Sequence, residues 1–148
     1  LGLDDTSPIP TPPTIKSTFQ FQVANPHNQE PFDFNGQVEV DQLIFGEVDG
    51  RATLFVIEGK LNSVPNTIAK TKLAYTSMAI ISSGKVPNNV KVVPVYVKAE
   101  YRQNDNSFHY YVAQFEMSDK SRDGVLELSE FRAIPDKSEH YSVRDLWD

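Results

Sequence analysis

The sequence predicts an α+β domain in which one long helix lies on a sheet, and three observations carry that expectation. Two strand-like runs, Gln37 to Phe45 and Thr53 to Lys60, flank an Asp49-Gly50 pair of the kind that builds tight hairpin turns. Pro65 to Ser83 has helical chemistry at both ends, with Ser63 as an N-cap, a first-turn proline and Gly84 as the stop. Beyond it, Val90 to Tyr101 and Phe108 to Met117 are rich in β-branched and aromatic residues, and the turn-forming run Gln103 to Ser107 separates them.

The elements follow in order. Leu1 to Thr14 carries Pro8, Pro10, Pro12 and Pro13 and reads as a stiff linker. The expected organisation is a Pro-rich linker, or the end of a preceding domain, over residues 1–16 and one domain over residues 17–148. The chain opens on Leu1-Gly2 rather than Met and is expected to be a fragment of a longer protein. Ser17 to Val23 alternates Phe19 and Phe21 with polar neighbours and reads as a strand, followed by a loop around Pro26 and Pro31. The helix should bury a stripe containing Ile68, Leu73, Tyr75, Ala79 and Ile80. Pro94 inside the next strand points to an edge position or a bulge. Two weaker strands are expected at Val125 to Ile134 and at His140 to Val143.

At 148 residues the chain can bury a real core as one domain. It shows no signal peptide and no apolar run of the ~18 residues that a span requires, so a soluble protein without a membrane partner is expected. Cysteine is absent, which excludes disulfides and thiolate metal sites and fits a cytoplasmic location. The net charge of −6 is unevenly distributed: residues 1–57 hold two basic against eight acidic residues, residues 58–102 seven against two, and residues 103–148 five against ten. The middle third, which includes Lys60, Lys70, Lys72, Lys85, Lys91, Lys98 and Arg102, has the charge of a phosphate-facing surface.

If Asp49-Gly50 is the hairpin centre, paired residue numbers add to 99, so Asp41 faces Glu58 and Glu39 faces Lys60. Directly opposed carboxylates repel. A divalent cation between Asp41 and Glu58 offsets that repulsion economically, because Mg²⁺ binds through one or two carboxylates plus phosphate oxygens. Gly59 leaves its own carbonyl accessible to the same ion. The bland alternative is a surface hairpin with an exposed Glu39 to Lys60 ion pair, worth ~0–1 kcal/mol. It leaves the opposed acids unexplained.

Val38-Glu-Val-Asp41, the turn and Phe55-Val-Ile-Glu-Gly-Lys60 resemble the PD-(D/E)xK nuclease superfamily, the fold of many type II restriction endonucleases. The helix after the lysine and the strands Val92 to Tyr96 and Tyr110 to Glu116 extend the resemblance over roughly Gln37 to Tyr141. It implies a restriction-endonuclease-like central mixed sheet with an antiparallel catalytic hairpin. It also implies an endonuclease acting on double-stranded DNA, with Mg²⁺, for which Mn²⁺ can substitute, held by Asp41, Glu58 and the Gly59 carbonyl. Lys60 would orient or activate the attacking water, Lys70 and Lys72 would meet DNA phosphates, and Glu39 would support the site. Cleaving both strands asks for a homodimer on DNA. The chain departs from the pattern in carrying Val40 where a proline usually precedes the first acid, and Thr71 where some relatives place a glutamine four residues before a tyrosine, here Tyr75. The helix that normally precedes the first strand is not visible in Leu1 to Phe34.

Asp119 to Glu130 competes as a pattern, fitting the calcium loop of an EF-hand at loop positions 1, 3, 5, 6, 8, 9 and 12. An EF-hand needs a helix on each side, whereas Phe108 to Met117 alternates like a strand. The alternatives to a nuclease are therefore a calcium-binding interaction module using residues 119–130 and a nuclease-like fold that only binds nucleic acid. His27, His109 and His140 show no metal-ligand spacing and read as polar surface or core. There is no Gly-rich phosphate loop and no Gly-x-Ser-x-Gly elbow.

Overall fold

The structure is a computed structural model that describes residues 5–9, 18–25, 27, 30–61 and 66–144. The elements are β1 (Asp5–Ile9), β2 (Thr18–Val23), β3 (Phe32–Gln37), β4 (Gln42–Val48), β5 (Arg51–Leu61), α1 (Asn66–Ser82), β6 (Lys91–Arg102), β7 (Ser107–Glu116), a short 3₁₀-helix (Asp119–Asp123), β8 (Val125–Leu126) and β9 (Arg132–Arg144). They make an α+β fold of two sheets, one six-stranded in the order β1-β4-β5-β6-β7-β9 and one three-stranded in the order β3-β2-β8.

The β4–β5 hairpin has the register the turn dictates: seven Cα pairs run from Val48–Arg51 to Gln42–Ile57, and each pair of numbers adds to 99. Asp49 (φ 50°) and Gly50 (φ 72°) both adopt left-handed backbone, as a two-residue hairpin turn with the right twist requires. β5 then pairs in parallel with β6, and α1 crosses between them. Leu54 and Val56 pack under Ile80 of α1, while Phe55 joins Val93 and Val95 on the opposite face. Burial on both faces is why this run reads as continuously apolar rather than alternating.

α1 touches β5 and β6 of the large sheet and β2 of the small one. Phe19, Phe21 and Val23 from β2 meet Leu73, Ala74, Met78 and Ala79 of α1, with Leu126 and Phe131 closing the cluster. A helix held between two sheets buries far more than one stripe, and Ala69, Thr76, Ser77 and Ile81 are inside as well. Ser77 satisfies its hydroxyl on the Leu73 carbonyl at 2.8 Å. Ile68, expected in the buried stripe, is 62% exposed, because it shares the solvent side of α1 with Thr67 and Thr71 while its neighbour Ala69 faces inward. Gly84, at φ 68°, follows the helix as its stop. Ser63 and Pro65 lie outside the described residues.

Several expectations are corrected. The loop expected around Pro26 and Pro31 gives way at Phe32 to β3, which pairs with β2 and stacks Phe34 on Phe21 with ring centroids 4.6 Å apart. β6 is an interior strand, not an edge. Pro94 sits one residue before the β7 ladder begins at Val95–Gln114, so its missing N–H interrupts no bond to β7. The two weak strands near the C-terminus are instead the two-residue β8, parallel to β2, and the single 13-residue β9. Pro135 falls in the register shift of β9 between the pairs Ala113–Ser138 and Phe115–Ala133, where a ladder proline is tolerated. Residues 5–9 of the Pro-rich opening form β1, an edge strand paired with β4; the remaining residues up to 16 lie outside the description. Among the described residues no helix is long and apolar enough to cross a membrane.

Candidate metal and phosphate site

Glu58 is the floor of the site. It lies on the α1-facing side of β5, two residues beyond Val56, and is 0% exposed. Taking a carboxylate out of water costs several kcal/mol unless charges and hydrogen bonds compensate. Compensation comes from two ammonium groups: Lys60 Nζ at 2.6 Å and Lys72 Nζ at 2.8 Å, both on Oε1. These are close ion-pair contacts: neither buried oxygen of Glu58 has a well-directed hydrogen bond, and Oε2 is met by neither lysine.

Asp41 sits at the mouth. The β4 ladder ends at Gln42–Ile57, so Asp41 does not continue it as a strand partner of Glu58. Its Oδ2 instead accepts the Gly59 N–H at 2.9 Å. In an extended strand the N–H and C=O of one residue point to the same side, so the Gly59 carbonyl also faces Asp41. Lys72 Nζ lies 3.7 Å from Asp41 Oδ1 and Lys60 Nζ 4.0 Å from Oδ2. The repulsion expected between the opposed acids is thus offset by two lysine cations, each reaching both carboxylates. Exposure is graded, with the Glu58 side chain at 1% and Lys60, Lys72 and Asp41 at 28%, 32% and 33%, so the buried acid opens to solvent past three charged groups. The hydrogen bond to Glu58 chiefly raises the Lys60 pKa, with the charges of Glu58 and Asp41 adding to it and burial opposing. Lys60 is a cation at neutral pH.

Of the remaining predicted site residues, Lys70 is not brought in. It lies two residues from Lys72, about 200° around the helix, so α1 presents only one of the two to Glu58. Glu39 is exposed and lies in the 38–40 segment beyond β3. Lys60 therefore pairs with Glu58 and Asp41 rather than with Glu39. The Glu39 carbonyl accepts the Thr76 hydroxyl at 3.4 Å, tying that segment to α1.

The donor set fits Mg²⁺. Two carboxylates, a main-chain carbonyl on the same side and a buried carboxylate oxygen without a partner match its habit of taking few protein ligands and completing its shell from phosphate and water. The acidic loop fits calcium less well. Asp119–Asp123 is a 3₁₀-helix between β7 and β8, with strands rather than helices around it. Glu127, at loop position 9, is held by Lys120 at 2.6 Å, and Arg122 donates to the Val90 carbonyl. Among the described residues no three His, Asp or Glu side chains converge as a metal cage.

Sequence reading missed a second polar cluster on the same sheet. His109 and His140, read as scattered, meet through Nδ1 and Nε2 at 2.9 Å, because Tyr111–His140 and His109–Ser142 are β7–β9 pairs. Ser107 donates to Asp105 at 2.6 Å, and His109 Nε2 lies 2.9 Å from Ser107 Oγ and 3.3 Å from Asp105 Oδ2. The signal was present only as strand register, which the interruption after Met117 conceals. No family model matches the chain, and no curated protein or solved structure matches it.

Proposed function

We propose that this chain is a restriction-type, Mg²⁺-dependent endonuclease domain that hydrolyses phosphodiester bonds in double-stranded DNA, in a restriction-endonuclease-like fold. The observation that carries the reading is Glu58, a fully buried carboxylate with an unpartnered oxygen, grouped with Asp41, Lys60 and Lys72 over the second half of β5. An expensive, incompletely compensated acid in such a place is a mark of function rather than of stability.

Each residue has a task. Glu58, Asp41 and the Gly59 carbonyl would hold Mg²⁺, and the Gly59 N–H fixes the Asp41 carboxylate for that purpose. Bound Mg²⁺ supplies Lewis acidity that neutralises charge developing on the phosphate. Lys60, beside both carboxylates, would orient or activate the attacking water and stabilise the extra negative charge at phosphorus. Lys72 exchanges its contact with Glu58 for one with a phosphate oxygen when substrate and metal enter. Cutting both strands requires two such sites, hence a homodimer on DNA.

One observation favours a second reading. Two carboxylates and two ammonium groups balance in charge without a metal, which suits a domain that binds nucleic acid and does not cut it. Incubating plasmid DNA with the wild type and Glu58→Gln, each with Mg²⁺ or with EDTA, separates the two. The nuclease reading expects cleavage only by the wild type with Mg²⁺, and uncut DNA in all four reactions that is nevertheless retarded with the protein on a native gel favours binding alone.

A further inference from the structure

The register of the large sheet places four side chains in one transverse row. Lys60, Lys98, Tyr111 and His140 are successive Cα partners on β5, β6, β7 and β9. Opposed residues share a face, so the row starts beside Glu58 and runs across that face to the sheet's edge, about 14 Å at ~4.8 Å per strand. Its first half is cationic. Lys98 lies 5.9 Å from the Tyr111 ring centroid and pairs with Glu100. Its second half is a pair of flat rings, Tyr111 and His140 stacked 4.6 Å apart at 10°.

Two features go beyond an ordinary cross-strand pair. His140 is exposed, yet its ring is held by His109, which is 5% exposed and anchored in turn on Ser107 and Asp105. The Ser107 hydroxyl donates to Asp105, and the two ring nitrogens of His109 lie 2.9 Å from Ser107 Oγ and 2.9 Å from His140 Nε2, so both edges of the buried ring are engaged. The rings also border a 530 Å³ groove lined by Tyr96 and Lys98 and, at its rim, by the acids Glu100 and Glu139, so a strand lying there would take Lys98 from Glu100. The Tyr96 hydroxyl is buried without a partner.

We propose that this row is a track for a nucleic-acid strand with unpaired bases, its phosphates on Lys60 and Lys98 and one base stacked on the outer face of His140. The endpoint at Glu58 rests on the nuclease reading, and the track adds a substrate class to it: DNA with a single-stranded stretch beside the scissile phosphate. A duplex stacks its bases on one another and has no face to offer an aromatic platform. An unpaired base of any identity has one. Pre-holding the ring through His109 removes the ordering cost that binding would otherwise carry.

The test is fluorescence anisotropy in EDTA, which prevents cutting, with a blunt duplex and with the same duplex carrying an oligothymidine overhang. The wild type should prefer the overhang. His140→Ala should lose about tenfold of that affinity and leave blunt-duplex binding unchanged, and His140→Phe, which keeps a ring but not the hydrogen bond to His109, should retain most of it. Lys98→Ala should weaken the overhang complex and flatten its salt dependence by about 0.7 in log–log slope. A 2-aminopurine at the first overhang position should be quenched on binding to the wild type, a reading that needs no variant. An unquenched base, equal loss by His140→Ala on both DNAs, or no preference for the overhang overturns the proposal. A wild type that binds in this manner but never cuts with Mg²⁺ overturns the nuclease reading alone.

Discussion

Lys72 Nζ and Glu58 Oε1 lie 2.8 Å apart, joining α1 to the deepest acid of the hairpin. The sequence suggested a DNA-phosphate contact near the scissile bond for this lysine, and the fold puts it on the candidate metal ligand. Lys72→Ala should therefore act on stability as well as on DNA binding. Breaking a fully buried pair costs ~3–5 kcal/mol. Lys60 remains on Glu58 and Lys72 is 32% exposed, so a smaller loss of about 1–2 kcal/mol is expected, read as a lower midpoint in urea denaturation. Lys70→Ala, off the site, should stay within about 0.5 kcal/mol of the wild type.

Asp41→Asn should keep the fold, since an amide oxygen can still accept the Gly59 N–H. It should remove most of the rise in melting temperature that Mg²⁺ or Mn²⁺ gives the wild type, a rise that follows from binding to the folded state alone. Asp119→Asn should leave that rise intact. The measurement is a thermal melt across a metal titration.

The raised pKa of Lys60 implies a pH dependence of defined sign. A lysine whose pKa is higher folded than unfolded contributes stability that is complete below the unfolded value of 10.5 and is lost as pH rises through the folded value. The stability difference between the wild type and Lys60→Met should therefore hold steady through neutral pH and change only in the alkaline range above 10.5. Urea denaturation at a series of pH values checks it.

Two glycines of the hairpin should respond differently to alanine. Gly50 has φ 72° in the turn, so Gly50→Ala should cost about 1 kcal/mol. An added Cβ at Gly59 meets nothing within 4 Å, and its backbone is not left-handed. Gly59→Ala should fold with wild-type stability and retain cleavage, because the atoms the site uses there are main-chain.

The parts of the fold that were legible in the sequence are those set locally. The Asp49-Gly50 turn and the apolar strand runs on either side of it determine the β4–β5 register, and with it the proximity of Asp41, Glu58 and Lys60. What was not legible depends on distant partners. Asp41 leaves the ladder because the chain must turn under α1 toward β3, where Val40 is buried against Ile80. β3 was concealed by Pro26 and Pro31, and it forms because β2 offers a partner and α1 an apolar cover for Phe34. The His109–His140 contact spans 31 residues and exists only once β9 pairs with β7.

The central claim is that Asp41 and Glu58 hold one divalent cation. Its most direct test is a crystal grown or soaked with Mn²⁺ and examined for anomalous scattering. The account predicts a single strong peak about 2.1 Å from oxygens of both Asp41 and Glu58, with Lys60 and Lys72 moved off Oε1. A peak in the loop after Asp119 with none at Glu58, or both lysines still seated on Glu58 at saturating Mn²⁺, would contradict it.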